Sequence, residues 1–162
     1  MTVILIDGPS GSGKTALALR MRDGWVGDDV PSLIHLDSIY PGWDGLDSAS
    51  EHIVQHLLEP LRRGEPARWR RYDWESERLA EWHEVDPAHP LIIEGCGALS
   101  RRAARLADLA VWVETDDVER RRRALARDGE LYEREWDRWE AQWQRFVARE
   151  DPRALATLIV PT

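Results

Sequence analysis

Residues 2–15 read TVILIDGPSGSGKT. The first six are a continuous β-rich apolar run ending in aspartate, the pattern of a strand buried on both faces of a parallel sheet. The next eight satisfy G-x-x-x-x-G-K-S/T without a gap, through Gly8, Gly13, Lys14 and Thr15, and KTALALRMR follows as a helix. Glycines allow successive backbone N–H groups to turn inward around phosphate oxygens. The helix that follows presents its positive N-terminus to the same anion. Gly8, Ser10, Gly11, Ser12 and Gly13 therefore form the expected cradle, with Lys14 bridging the terminal phosphates and the Thr15 hydroxyl ligating magnesium. An ordinary glycine turn shares this composition but not the strand–loop–helix setting. The implied ligand is a nucleoside triphosphate with Mg²⁺. No Asn-Lys-x-Asp guanine signature is present, which argues against a GTPase, and the choice between ATP and GTP stays open at this point.

At 162 residues the chain has the size of one domain, and 43% hydrophobic with 32% charged residues suits a globular protein with a real core. A net charge of −8 argues against a general nucleic-acid binder. No stretch is apolar and long enough to cross a membrane, and the run before Asp7 is short for a signal peptide, so the expected location is the cytoplasm. The single cysteine, Cys96, excludes an internal disulfide and a cysteine zinc site, and reads as a small residue packed at a strand end. Of the 22 Lys+Arg residues only Lys14 is lysine. A bias toward arginine explains the scarcity of lysine but not the place of the survivor. A compact ammonium threads among phosphates where a planar guanidinium does not.

Four further runs read as buried strands: SLIHLD (32–37), PLIIEG (90–95), LAVWVET (109–115) and ATLIVP (156–161). Short apolar strands alternating with helices give an α/β fold, a five-stranded parallel sheet flanked by helices in one domain over 1–162. A helix with a capping box at Ser48 and Glu51 is expected before Gly64, with Pro60 kinking its last turn. Residues 65–90 look like an insert, more ribbon or loop than core. Residues 117–149 read as a long charged helix or helix pair.

In an open α/β sheet, ligands sit beyond the carboxyl ends of the strands. Asp7, Asp37 and Glu94 lie at or near three such ends. If those strands are neighbours, the acids converge on the triphosphate. Asp37 is then the candidate base for a substrate hydroxyl, and Glu94 a candidate for the magnesium shell, directly or through water. The simpler alternatives are that Asp37 caps a turn and that Glu94 is solvated. Tyr40 and Trp43 follow Asp37 at once and suit the walls of an acceptor pocket, or the packing of their own loop. Arg120, Arg123 and Arg127 recur at i, i+3 and i+7, a face that could close over the phosphates, Arg120 as a nucleotide contact and Arg123 and Arg127 as catalytic cations. Trp136, Trp139, Trp143 and Phe146 form a stripe at helical spacing that reads first as core, and otherwise as an acceptor lid or an interface. His52 and His56, at i and i+4, read as part of a surface helix rather than a metal pair.

The ordered set GPSGSGKT, HLDSIY, RRYDW, LIIEG and VETDDVERRRRALARD resembles the uridine kinase-like branch of P-loop kinases. The resemblance implies that Asp37 activates the acceptor hydroxyl and that Tyr72 and Asp73 line the acceptor site, with Trp74 in place of a phenylalanine. It also implies that Glu94-Gly95 follows the third strand of the sheet and that Arg120, Arg123 and Arg127 belong to a mobile lid. Glu77 stands where that branch has a histidine, and Arg78 is one position out of register, so the resemblance points to a kinase more than to uridine. It implies a transfer of the γ-phosphate of Mg-ATP to a small-molecule hydroxyl, nucleoside-like, by a monomer or homodimer. A nucleoside monophosphate kinase is a variant in which Arg68, Arg70 and Arg71 would meet the acceptor phosphate. An ATP-binding regulator is the reading of a different class.

Overall fold

In the computed structural model, which describes residues 1–162, the five apolar runs form one sheet. Its strands are β1 (Val3–Asp7), β2 (Ser32–His35), β5 (Leu91–Glu94), β6 (Leu109–Glu114) and β7 (Leu158–Pro161), all parallel, in the order β2-β5-β1-β6-β7. The central β1 lies where the chain turns to opposite sides of the sheet, the switch point at which such folds open a crevice. Alternate side chains divide between two layers. Ile4, Ile6, Ile92, Val111 and Val113 pack on Ala18 of α1 (Lys14–Asp23). Val3, Leu5, Leu91, Ile93, Ala110 and Trp112 face the larger core on the other side.

The second strand ends two residues earlier than its hydrophobicity suggests. After His35 the chain enters a tight turn over Leu36–Ser38, so Asp37 stands just beyond the sheet rather than in it. The following helix, α2 (Leu46–Ile53), also differs from expectation. It begins after Gly45 with no side-chain cap, and the Ser48–Glu51 capping box does not form. Leu46 is fully buried and draws the first turn into the core, while Glu51 is engaged by Arg102 at 2.6 Å. A wider helical turn at Val54–Leu58 leads into α3 (Glu59–Arg62), just ahead of Pro60, which has no N–H to offer the ladder. Gly64, at φ +70°, ends the helix: its N–H donates to the Leu61 carbonyl and the Glu65 N–H to the Pro60 carbonyl.

The insert is an antiparallel ribbon, β3 (Ala67–Asp73) with β4 (Arg78–Val85). It docks on the preceding helix through Trp82, whose ring lies 5.7 Å from His52 and 5.3 Å from His56. His52 Nε2 accepts the Arg70 N–H at 3.1 Å, and burial, with the neighbouring His56, pushes its pKa down to about 4. These histidines are thus the seat of the ribbon, not an idle surface pair. A short α4 (Arg101–Ala104) precedes β6. The long charged segment is α5 (Asp117–Glu150), capped by Asp116 and broken at Gly129 (φ 71°, ψ −158°), hence a helix pair. The short α6 (Pro152–Leu155) leads to β7.

Asp7 closes β1 without entering the crevice. It is fully buried and accepts N–H groups from Gly8 (2.7 Å), Gly97 (3.2 Å) and Leu99 (2.7 Å), tying the loops after β1 and β5 together. The expected convergence of three acids is therefore one of two. Asp7→Asn should lower the unfolding free energy by about 1–3 kcal/mol, because an amide offers one acceptor oxygen where both carboxylate oxygens are used. Burial raises this carboxyl from 3.8 to about 6, so its contribution to stability is complete below the unfolded value and is lost as pH rises through the folded one. The gap between wild type and variant in urea unfolding should accordingly narrow between about pH 4 and about pH 7.

Candidate active site

The loop after β1 takes the shape its glycines permit. Gly11 and Gly13 lie at φ +79° and +91°. A Cβ on Gly11 would fall 1.9 Å from the Arg120 carbonyl, so the start of α5 rests directly on the loop. Gly13 caps α1 with no side-chain acceptor, and the first turn carries no acid, which leaves its N–H groups and positive end facing the loop. Lys14 is buried, and its Nζ donates to the Pro9 carbonyl at 2.9 Å. The Ser10 hydroxyl hydrogen-bonds that of Tyr132, and the buried Ser12 hydroxyl has no protein partner. This donor-rich loop, with no acid in the first turn of its helix, fits a polyphosphate.

Beside it, β5 places Glu94 in register with Ile6 on one side and His35 on the other. Glu94 is 3% exposed. Its Oε1 accepts from the Thr15 hydroxyl at 2.9 Å and meets His35 Nδ1 at 2.6 Å. Burial alone would raise this carboxyl, but His35, Lys14 and Thr15 together hold it below the ordinary glutamate value. His35 is raised in turn, first by its hydrogen bond to Glu94. Asp37 is shifted the opposite way. It opens to solvent through the crevice, yet the surrounding walls strip its hydration, and the Glu94 charge adds to this, so its carboxyl is raised against the pull of Lys14 and Arg127. Thr15 and Glu94 supply hard oxygen donors on one side, the type that suits Mg²⁺ held chiefly by phosphates and water.

These groups open into a cavity of about 270 Å³. Its far wall is aromatic: Tyr40, Trp43, Trp74, Tyr132 and Trp139, with Leu131 at the rim. Tyr40 packs edge-on to Trp139 at 4.7 Å, while Trp43 stacks on Tyr132 at 5.4 Å and meets Trp74 at 5.1 Å. Trp74 Nε1 donates to the Asp37 carbonyl at 2.8 Å, so the tip of the ribbon holds the turn that carries Asp37.

The other expected site residues divide. Arg127 lines the cavity, paired with Asp128. Arg123 lies outside it, bonded to Glu119 at 2.8 Å and to the Thr162 hydroxyl at 3.4 Å. Arg120 is buried in a different task. It makes two bonds to Glu140 (3.1 and 2.7 Å) and one to Asp117 (2.7 Å), joining the two halves of α5 across Gly129. The three arginines lie in one helical stretch ahead of Gly129, but the second half of α5 turns back against the first and takes Arg120 through Glu140. On the ribbon, Arg71 pairs with Glu81 at 2.6 Å, and Asp73 caps the hairpin turn through Glu75 N–H and the Ser76 hydroxyl. Tyr72 packs edge-on to Trp74 at 5.2 Å. None of these three lines the cavity.

Sequence reasoning gave no site role to His35, Asp128, Leu131 or Tyr132. His35 and Asp128 lie within the motifs, but their spacing does not show that they meet Glu94 and the cavity, while Leu131 and Tyr132 lie outside any motif. Trp139 was legible only as part of a stripe, all of which is core here, Trp139 serving also as cavity wall. Cys96 is buried as expected, its thiol pushed up to about 11 by burial.

Residues 4–145 match the family model of the AAA domain, so the chain belongs to that family of P-loop nucleotide-binding domains. It is 30% identical to a uridine kinase of Latilactobacillus sakei, over 98% of this chain and 84% of that one. It is also 31% identical to a uridine kinase of Lactobacillus johnsonii, over 78% and 67%. The fold matches that of a possible uridine kinase from Bacillus stearothermophilus with a TM-score of 0.65 at 18% identity, covering 98% of this chain and 88% of that one. Within the P-loop proteins, then, the chain is a member of the uridine kinase-like branch of kinases.

Two substitutions should separate the loop from its support. Lys14→Ala should weaken Mg-ATP binding at least about tenfold with little change in stability. Glu140→Gln should cost about 1–3 kcal/mol of stability with nucleotide affinity retained, because it strips charge from the partner of buried Arg120. Nucleotide titration and urea unfolding of both variants check the contrast.

Proposed function

We propose that this protein transfers the γ-phosphate of ATP to a hydroxyl of a small nucleoside-like acceptor. The observation that carries the reading is the position of Asp37, a carboxylate of raised pKa between a phosphate-binding loop and an aromatic cavity. The loop and Lys14 hold the triphosphate. The acceptor ring lies along the aromatic wall and its hydroxyl faces Asp37. The carboxylate takes the hydroxyl proton as the new O–P bond forms and the bond to the β-phosphate oxygen breaks, releasing ADP. Thr15 and Glu94 are the residues that would hold magnesium, Glu94 directly or through water, and the ion neutralises charge on the β- and γ-oxygens when bound. Arg127, which lines the cavity, would neutralise charge that develops on the transferred group. Glu94 stays ionised because its neighbours stabilise the charge, which leaves the proton to Asp37.

A phosphorylated acceptor is less well served. The cavity's cations are Lys14 of the phosphate loop and Arg127, which is paired with Asp128, and Arg71 is paired with Glu81 outside the cavity. Arg68 lies 4.6 Å and Arg70 5.9 Å from the Trp82 ring centre, against the ribbon's seat.

ADP release measured over a panel of nucleosides, nucleoside monophosphates and sugars tests the reading. One or more acceptors should stimulate release, and Asp37→Asn should lower kcat by about 10²–10⁴-fold with ATP affinity kept. A flat panel with intact ATP binding would turn the reading toward a nucleotide-sensing regulator. The acceptor's kcat/KM should fall on the acid side with an apparent pKa above the ordinary 3.8 of aspartate, because the base must be ionised and its pKa is raised.

A further inference from the structure

The wall that faces Asp37 is built mainly of ring faces, and three of its five side-chain polar groups are already paired. The Tyr40 hydroxyl donates to the Cys96 carbonyl at 2.8 Å. The Tyr132 hydroxyl is paired with that of Ser10, and the Trp74 indole N–H with the Asp37 carbonyl. Beyond the rings the lining adds the apolar Leu131 and, beside Tyr40, Gly95 and Cys96. The polar lining is on the phosphate loop, Asp37, Glu94 and the Arg127–Asp128 pair. Trp74 is also the only ribbon residue in the cavity, so no ribbon charge reaches the acceptor end.

A site of this kind gains its affinity from stacking, which every flat ring provides. It discriminates weakly among rings. An apolar pocket separates related ligands by about 10–200-fold, whereas a pocket built of hydrogen-bonding groups separates them by about 10⁴–10⁵-fold. We infer that the acceptor is an uncharged alcohol carrying a planar ring, and that the site senses the ring by its faces and not by the donor–acceptor pattern of its edge. Purine and pyrimidine nucleosides, and other ring-bearing alcohols of similar size, are then handled alike, while ribose alone and ring-bearing monophosphates are handled poorly. The inference rests on the acceptor reading of the cavity given above.

The test keeps the two separable by measuring binding apart from turnover. Asp37→Asn, saturated with Mg-ATP, is titrated with uridine, cytidine, adenosine, ribose, UMP and glucosamine, and binding is followed by tryptophan fluorescence. The three nucleosides should bind within about 200-fold of one another, and ribose, UMP and glucosamine more weakly than all of them. Trp43→Leu should weaken the three nucleosides alike, by about tenfold or more, and Trp43→Phe should restore them. Trp74→Leu, at the exposed tip of the ribbon, repeats the comparison if the Trp43 variants do not fold. A preference of about 10⁴-fold for one base, ribose equal to the nucleosides, or tighter binding of glucosamine would each overturn the inference. Ring binding within the narrow range but without turnover in the wild type would leave the inference standing and defeat the kinase reading instead.

Discussion

The arrangement of the crevice depends on one buried carboxylate. Glu94 sits at the end of β5 between β1 and β2, with Thr15 of the phosphate loop on one side and His35 on the other. A carboxylate this deep is costly unless its charge is met by hydrogen bonds and cations. Here two groups from different segments, Thr15 and His35, meet it, with the Lys14 charge nearby, and in doing so they fix the loop against the sheet. A second acid nearby cannot ionise as easily beside such a neighbour. Asp37, stripped of hydration by the crevice walls and then opposed by this charge, stands above its ordinary pKa while Glu94 stands below. Pairs of carboxylates driven apart in this way divide the work, one holding charge and one moving a proton.

A second chain of contacts joins the nucleotide end to the acceptor end. Ser10 bonds Tyr132, Tyr132 stacks on Trp43, Trp43 meets Trp74, and Trp74 holds the carbonyl of Asp37. Four segments remote in sequence are thereby held in one geometry around the candidate base. The break at Gly129 makes this arrangement attainable. It lets the first half of α5 lie on the phosphate loop while the second half buries Trp136, Trp139, Trp143 and Phe146. Arg120 and Glu140 hold the two halves together, which explains why an arginine in a phosphate-facing pattern serves packing instead.

The amino-acid sequence determined the five parallel strands, the phosphate loop with its single lysine, and the candidate roles of Asp37 and Glu94. Those features are local: periodicity, glycine spacing and the chemistry of a strand end are written in consecutive residues. The tertiary structure decided what depends on where distant segments meet. It turned Asp7 toward the loop of Gly97 and Leu99, withdrew Arg120, Arg71 and Asp73 from the cavity, and set His35 against Glu94. It also assembled the aromatic wall from a loop, a ribbon tip and a kinked helix. The reason is physical. A charged side chain goes to the partner that best offsets its desolvation, and a large ring to the surface that best covers it, and neither partner is specified by spacing along the chain.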